Sequence, residues 1–120
     1  MATTYKVLAQ TGSSGSTGNG SQTLTAAANI NLYTVPASTQ AVISTITICN
    51  QAAASASYRI AVRPSGTAVA TQHYVAYDIA IAANDTTALT LGISLATTDI
   101  VTVYASAATM SFTAFGSEIA

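Results

Sequence analysis

Charged side chains are the scarcest feature of this 120-residue chain. Three Lys/Arg and four Asp/Glu make up 6% of the residues, whereas ordinary globular proteins carry roughly 25%. A net charge of −1 gives no basic surface to attract a nucleic acid. No apolar run approaches the roughly 20 residues that span a bilayer, and the first ten residues lack the basic-then-apolar pattern of a secretory signal. We therefore expect no nucleic acid and no membrane as a partner.

The residues that usually carry chemistry are also few. Cys49 is the only cysteine, which excludes an intramolecular disulfide, and we expect it to be a small buried hydrophobic residue. His73 is the only histidine, so no second histidine or further cysteine completes a zinc site. The four carboxylates are spread between residues 78 and 118, and no nucleophile-elbow or phosphate-loop motif is present. We therefore predict that the protein is not an enzyme and has no catalytic residue, no cofactor and no metal.

Small and hydroxylated residues supply most of the chain instead. The sequence contains 25 alanines and 33 serines or threonines, and half of all residues are hydrophobic. This length predicts one domain with a small core. A free small domain usually carries many surface charges of both signs. A surface rich in Ser, Thr and Ala with seven charged residues therefore indicates a domain whose surface is covered by other protein.

Short alternating apolar runs, separated by turn residues, recur from residue 30 onward. They predict an all-β fold, an antiparallel β-sandwich of about seven to eight strands, immunoglobulin-like or jelly-roll-like. The run 41–49 is apolar on both faces at its start, which favours the interior of a sheet, with Val42, Ile46 and Ile48 on one face. Gly92 is expected to mark a bulge or bend. No 3.6-residue periodicity is sustained, so no helix longer than one or two turns is expected.

The N-terminal residues show a different pattern. Residues 11–21 form a Gly/Ser-rich tract without an apolar side chain, which is typical of flexible coil. We therefore divide the chain into an extended N-terminal arm with its tether, residues 1–22, and a β-sandwich domain, residues 23–120. Tyr5 and Val7 lie on one side of the short extended segment in the arm. They are candidate partner-binding residues, because an extended segment on a tether can add a strand to a neighbour's sheet edge.

The stretch 57–64 carries both arginines of the chain. In an extended strand Tyr58, Ile60 and Val62 fall on one face, whereas Arg59 and Arg63 fall on the other. Arginine pairs bidentately with carboxylates. Arg59 and Arg63 are therefore the second pair of candidate partner-binding residues, and the alternative is that they only hydrate a solvent-exposed face.

Three tyrosines, Tyr33, Tyr74 and Tyr104, are expected to face solvent. Exposed tyrosines near aspartates are typical of sugar-binding sandwiches, and equally of protein interfaces. A carbohydrate- or receptor-binding module therefore stays open as an alternative function.

Several segments along the chain have a distinctive wording. They are MATTYKVL (1–8), LYTVPAST (32–39), ICN (48–50), YRIAVRP (58–64), HYVAYD (73–78), ANDT (83–86) and FTAFGSE (112–118). Together they resemble small virion structural proteins of tailed phages that infect cyanobacteria and related marine bacteria. The resemblance covers nearly the whole chain, apart from the longer Gly/Ser tract at residues 11–21. It implies a non-enzymatic component of the virion, assembled in the host cytoplasm, and it brings no catalytic residues.

Within the particle, the resemblance leaves the location open. We expect a capsid decoration or cement protein that bridges and stabilises capsid subunits. Its partners would be the major capsid protein, other virion proteins or neighbouring copies of itself. A trimer is one assembly that such copies could form. The alternative within the particle is a tail, neck or baseplate component.

Overall fold

Two antiparallel sheets form the protein, as a computed structural model that describes residues 2–120 shows. The five-stranded sheet has the strand order β2-β1-β9-β4-β7, and the four-stranded sheet has the order β3-β8-β5-β6. The predicted antiparallel β-sandwich is therefore confirmed. The strands are β1 (Thr3–Gly12), β2 (Gly15–Gly18), β3 (Asn29–Thr34), β4 (Gln40–Asn50), β5 (Ala56–Arg63), β6 (Tyr74–Ile81), β7 (Thr86–Leu95), β8 (Ile100–Ala105) and β9 (Met110–Ile119).

Alternation of side chains places the core between the two sheets. Tyr58 and Ile60 on β5 are buried, as their shared face predicts. The ring of Tyr58 meets the ring of Phe112 from the opposite sheet edge-to-face, with centroids 6.4 Å apart. Further buried apolar side chains complete this layer, including Leu32, Val35, Ile46, Ile48, Ile81, Val101, Val103 and Met110.

The prediction of a separate N-terminal arm and tether is wrong. β1 lies inside the five-stranded sheet, where it pairs with β9 on one side and with β2 on the other. Leu8, Ala9 and Thr11 are buried, so residues 2–22 are not separate from the domain. The Gly/Ser tract is ordered because its backbone is paired, although its side chains bury little. Asn19 illustrates this, since its backbone carbonyl accepts a hydrogen bond from the Thr34 N–H at 2.9 Å.

The interior position predicted for residues 41–49 is confirmed, because β4 lies between β9 and β7. Its side-chain phase, however, is not uniform. Ile43 pairs with Gly116 and Thr45 pairs with Phe115, which leaves Ser44 as an extra residue. This bulge puts Ile43 on the core face together with Ile46, and both are fully buried. The prediction that Val42 shares a face with Ile46 is therefore wrong.

Bulges recur at the same level in neighbouring strands. The β1–β9 register shifts between Val7 and Ala9, and the β4–β7 register shifts opposite Leu91 and Gly92. Gly92 has a φ of 61°, which a residue without Cβ adopts readily, so the bend predicted there is confirmed. The bulges together bend the five-stranded sheet across its middle.

The connections between strands contain little helix. Two single 3₁₀ turns, Pro64–Gly66 and Thr71–His73, flank the segment that leads from β5 to β6. Residues 51–55 form a loop, as expected. No helix within residues 2–120 has the length and apolar character needed to cross a bilayer.

Candidate functional site

The first candidate surface lies on the outer face of the five-stranded sheet. Tyr5 pairs with Ser117 on β9, which in turn pairs with Val42 on β4. In the adjacent row, Val7 pairs with Phe115. Register partners share a face, so Tyr5, Val7, Val42 and Phe115 form one sheet-face patch. Tyr5 is 84% exposed and Val7 is 47% exposed.

This sheet is almost free of charge. Its five strands contain two charged residues, Lys6 and Glu118. These two neutralise each other, because Lys6 Nζ lies 2.7 Å from Glu118 Oε1. Solvent-facing sheets normally carry charged side chains that oppose association. The outer face of the five-stranded sheet therefore has the chemistry of an interface.

Glu118 also connects the two sheets. The hydroxyl of Tyr33 on β3 donates a hydrogen bond to Glu118 Oε2. Burial would raise the pKa of Glu118, but the hydrogen bonds from Lys6 and Tyr33 outweigh it and hold that pKa below its usual range. Burial, followed by the contact with Glu118, raises the pKa of Tyr33. Tyr33 is fully buried, so the expectation that it faces solvent is wrong.

The second candidate surface is built around Arg59 on the outer face of the four-stranded sheet. Arg59 Nε donates to Asp78 Oδ1 at 2.6 Å, and Nη2 donates to Asp78 Oδ2 at 3.3 Å. The guanidinium carbon also lies 4.3 Å from the ring centroids of both Tyr77 and Tyr104. The hydrogen bond with Asp78 is the main cause that raises the pKa of Arg59.

Asp78 reaches Arg59 because β6 is irregular at that point. Tyr58 pairs with Ile79 and Ile60 pairs with Ala76, so Arg59 faces two residues of β6 in place of one. Asp78 takes a φ of 50°, a left-handed conformation that aspartate tolerates better than most residues. The bulge therefore fixes the carboxylate beside the guanidinium.

Arg63 is committed to contacts within the chain. Its Nη1 donates to Asn31 Oδ1 at 2.9 Å and to Thr102 Oγ1 at 3.0 Å. Its Nε and Nη2 donate to the carbonyls of Thr67 and Gly66. Four of the donor contacts that a guanidinium can make are thus used inside the chain. The two arginines share a face, as predicted, but the contacts of Arg63 fasten the loop after β5 and leave few of its N–H donors for a partner.

A groove lies beside the Arg59 cluster. It is lined by Val69, Ala70, Thr71, Tyr74 and Tyr77, and its volume is about 480 Å³. We call these five residues the tyrosine groove. The rings of Tyr74 and Tyr77 meet edge-to-face, with centroids 4.9 Å apart and an interplanar angle of 83°. Tyr77 is 54% exposed.

The remaining reactive side chains have local roles. His73 Nδ1 accepts a hydrogen bond from the Ala70 N–H at 3.1 Å, which closes a 3₁₀ turn. Asp85 and Asp99 accept hydrogen bonds from nearby backbone N–H groups in turns, as expected. Cys49 is only half-buried, because it alternates with the buried residues of β4. Within residues 2–120 no three His, Cys, Asp or Glu side chains lie close enough to bind a metal ion.

Phe115 and Tyr77 are exposed aromatic residues of these surfaces that the sequence-based candidates do not include. Phe115 follows Phe112 by three positions, so simple alternation with the buried Phe112 already directs it outward. Tyr77 lies in phase with Val75, and both are more than half exposed. The alternation signal was therefore available for both residues, whereas the contact between Tyr77 and Arg59 depends on the β6 bulge.

Comparison of the chain with models of protein families, with curated proteins and with solved structures finds no match. The two surfaces are therefore interpreted from their own chemistry.

Proposed function

We propose that the protein is a non-enzymatic structural component of a tailed-phage virion, and specifically a capsid decoration or cement protein. It binds the major capsid protein or neighbouring copies of itself and stabilises the shell. The observation that carries this proposal is the uncharged outer face of the five-stranded sheet, on which Tyr5, Val7 and Phe115 are exposed. The sequence resemblance to small virion proteins supports the same class.

The size of this face fits a protein partner. The four long strands β1, β9, β4 and β7 contain 10, 10, 11 and 10 residues. With strands about 4.8 Å apart and a rise of about 3.4 Å per residue, they cover about 600 Å². A stable interface of standard size uses about 800 Å² per partner. The face therefore supplies most of one interface, and the flanking loops can supply the remainder.

The strand order gives a second, weaker argument for a component of a virus particle. Apart from the short β2, the two sheets have the orders β1-β9-β4-β7 and β3-β8-β5-β6. We interpret this arrangement as an eight-stranded jelly roll, an architecture found in viral capsid proteins and in lectins. Architecture alone does not establish function, so the sheet-face patch remains the main support.

The structure changes which predicted residues support docking. Tyr5 and Val7 remain candidates, although through exposed side chains on a strand already paired on both sides. Strand addition by a free N-terminal arm is no longer part of the proposal. Arg59 and Arg63 are weaker candidates. Arg63 makes four donor contacts within the chain. Arg59 makes two hydrogen bonds to Asp78, so a carboxylate of a partner would compete with Asp78 for it.

A matched pair of substitutions tests the proposal. Val7→Lys places a charge within the sheet-face patch, whereas Val75→Lys makes the same change on the four-stranded sheet at a similarly exposed valine, 47% against 51%. Tagged variants are expressed in infected cells, and the particles are purified and quantified by mass spectrometry. We expect Val7→Lys to lower incorporation by about tenfold or more, because the ammonium would be buried without a partner, while Val75→Lys is incorporated normally.

Equal incorporation of the two variants would contradict docking through this face. Counting copies of the wild-type protein per particle tests the location separately. Hundreds of copies are expected for a shell protein, whereas tens or fewer would favour the tail, neck or baseplate alternative.

A further inference from the structure

The tyrosine groove lies on the sheet opposite the sheet-face patch and has a different chemistry. Its volume of about 480 Å³ falls in the range of about 300–1,000 Å³ that is usual for small-molecule sites. We propose that this groove binds an uncharged pyranose sugar, with the ring of Tyr77 as the stacking surface. This inference goes beyond the structural role and does not depend on it.

The aromatic wall of the groove is fixed in advance. Tyr77 packs edge-to-face against Tyr74 and also contacts the guanidinium of Arg59. Arg59 is itself held by two hydrogen bonds to Asp78. Tyrosine offers a large contact area with few rotatable bonds, and a side chain already held in place loses little further entropy on binding. An exposed ring held by two neighbours, Tyr74 and Arg59, is therefore suited to a weakly binding small ligand.

The charge around the groove favours a neutral ligand. None of the five lining residues carries a charge at neutral pH, and the nearby charge of Arg59 is paired with Asp78. An anionic sugar or a phosphate would find no free cation in the described groove. The hydroxyl groups of Thr71, Tyr74 and Tyr77 can both donate and accept hydrogen bonds.

A pyranose matches both properties, since it presents an apolar C–H face to an aromatic ring and hydroxyls along its edge. A proline-rich peptide would also stack on tyrosine, but it needs an extended aromatic-lined groove. Here the aromatic lining consists of two residues, Tyr74 and Tyr77. This small aromatic surface favours one or two sugar rings over a peptide.

The site is tested on the isolated protein by NMR titration, with resonances followed by ¹H–¹⁵N correlation. The probes are the methyl glycosides of glucose, galactose, mannose and N-acetylglucosamine, at millimolar concentrations. We expect at least one probe to shift resonances of residues 69–77 in a saturable way. Tyr77→Ala should weaken that binding about tenfold, whereas Tyr77→Phe should keep it within about threefold because the ring remains.

Tyr5→Ala is the matched control, since Tyr5 is the most exposed of the six tyrosines and lies on the opposite sheet. It should leave sugar binding unchanged. The proposal is overturned if no probe shifts residues 69–77 of the wild-type protein, or if Tyr5→Ala weakens binding as much as Tyr77→Ala. It is also overturned if only a proline-rich peptide binds there. The wild-type titration decides the question even if Tyr77→Ala fails to fold, and particle incorporation has no influence on it.

Discussion

Gly116 provides the sharpest test of the bend in the five-stranded sheet. It lies on β9 opposite Ile43, directly beside the Ser44 bulge of β4. A Cβ atom built on Gly116 would lie 1.9 Å from the carbonyl oxygen of Val42 and 3.0 Å from the Cα of Ile43. Close carbon–oxygen contacts normally measure about 3.3–3.6 Å. The two strands would therefore have to separate by more than 1 Å to accept an alanine.

The cost of Gly116→Ala follows from this overlap. Forcing extra volume into a packed interior costs about 1–3 kcal/mol. Displacing the strands also weakens one or two ladder hydrogen bonds, at about 1 kcal/mol each. The more restricted unfolded chain offsets about 0.4–1 kcal/mol of this. We therefore expect a net loss of about 2–4 kcal/mol in the free energy of unfolding.

Thermal and urea unfolding, followed by circular dichroism, measure the effect. For a domain of this size, 1 kcal/mol corresponds to about 4 °C in Tm, so Tm should fall by about 8–16 °C. Gly12→Ala is the control, because its Cβ would meet nothing closer than Ser111 Cβ at 3.7 Å. It should leave Tm unchanged or raise it by up to about 4 °C. If Gly116→Ala melts within about 2 °C of the wild type, the close approach of β9 and β4 is not as described.

Two further predictions concern the N-terminal strands and Glu118. Deleting residues 1–20 removes β1 and β2 and exposes the edge of β9. We therefore expect the truncated protein to show no cooperative thermal transition by circular dichroism. A transition near the wild-type Tm would contradict the pairing of β1 with β9. The lowered pKa of Glu118 means that its stabilising contribution is complete above the unfolded value of about 4.3 and is lost as pH falls through the folded pKa. The Glu118→Gln variant should therefore be less stable than the wild type by about 1 kcal/mol at neutral pH, and the difference should disappear in acid. Urea unfolding across the acid range measures this convergence, and a stability difference that does not change with pH would refute it.

The fold class follows from local sequence patterns, whereas the exceptions depend on distant partners. Alternation along residues 58–63 places Tyr58 and Ile60 in the core and both arginines outside, and the structure agrees. The phase of β4 does not follow from alternation, because the Ser44 bulge is stabilised by Gly116 on another strand. A pattern with a period of two residues cannot indicate where one extra residue is inserted.

The errors at the N-terminus and at Tyr33 have the same origin. The Gly/Ser strand β2 has no apolar alternation, so only its backbone pairing with β1 reveals it. β1 in turn pairs with β9, about 100 residues away in sequence. Leu32 and Tyr33 are adjacent, yet both are fully buried, because the β3–β8 register shifts between Asn31 and Tyr33. Glu118 then provides the acceptor for the buried hydroxyl. The candidate surfaces were therefore only partly predictable: Tyr5 and Val7 keep their exposure, whereas the Arg59–Asp78 contact needed the β6 bulge.

The pairing of β1 with β9 also determines when this protein can finish folding. β1 spans Thr3–Gly12 and its partner spans Met110–Ile119, so roughly 100 residues must leave the ribosome between them. At about 5–20 residues per second, β1 waits on the order of 5–20 s for its neighbour. During that time the apolar strand β4 also lacks its partner β9, and such unpaired strands are prone to join those of other nascent chains. Fast translation of the residues between β1 and β9 would shorten this interval, and chaperone binding until β9 emerges would protect the unpaired strands during it.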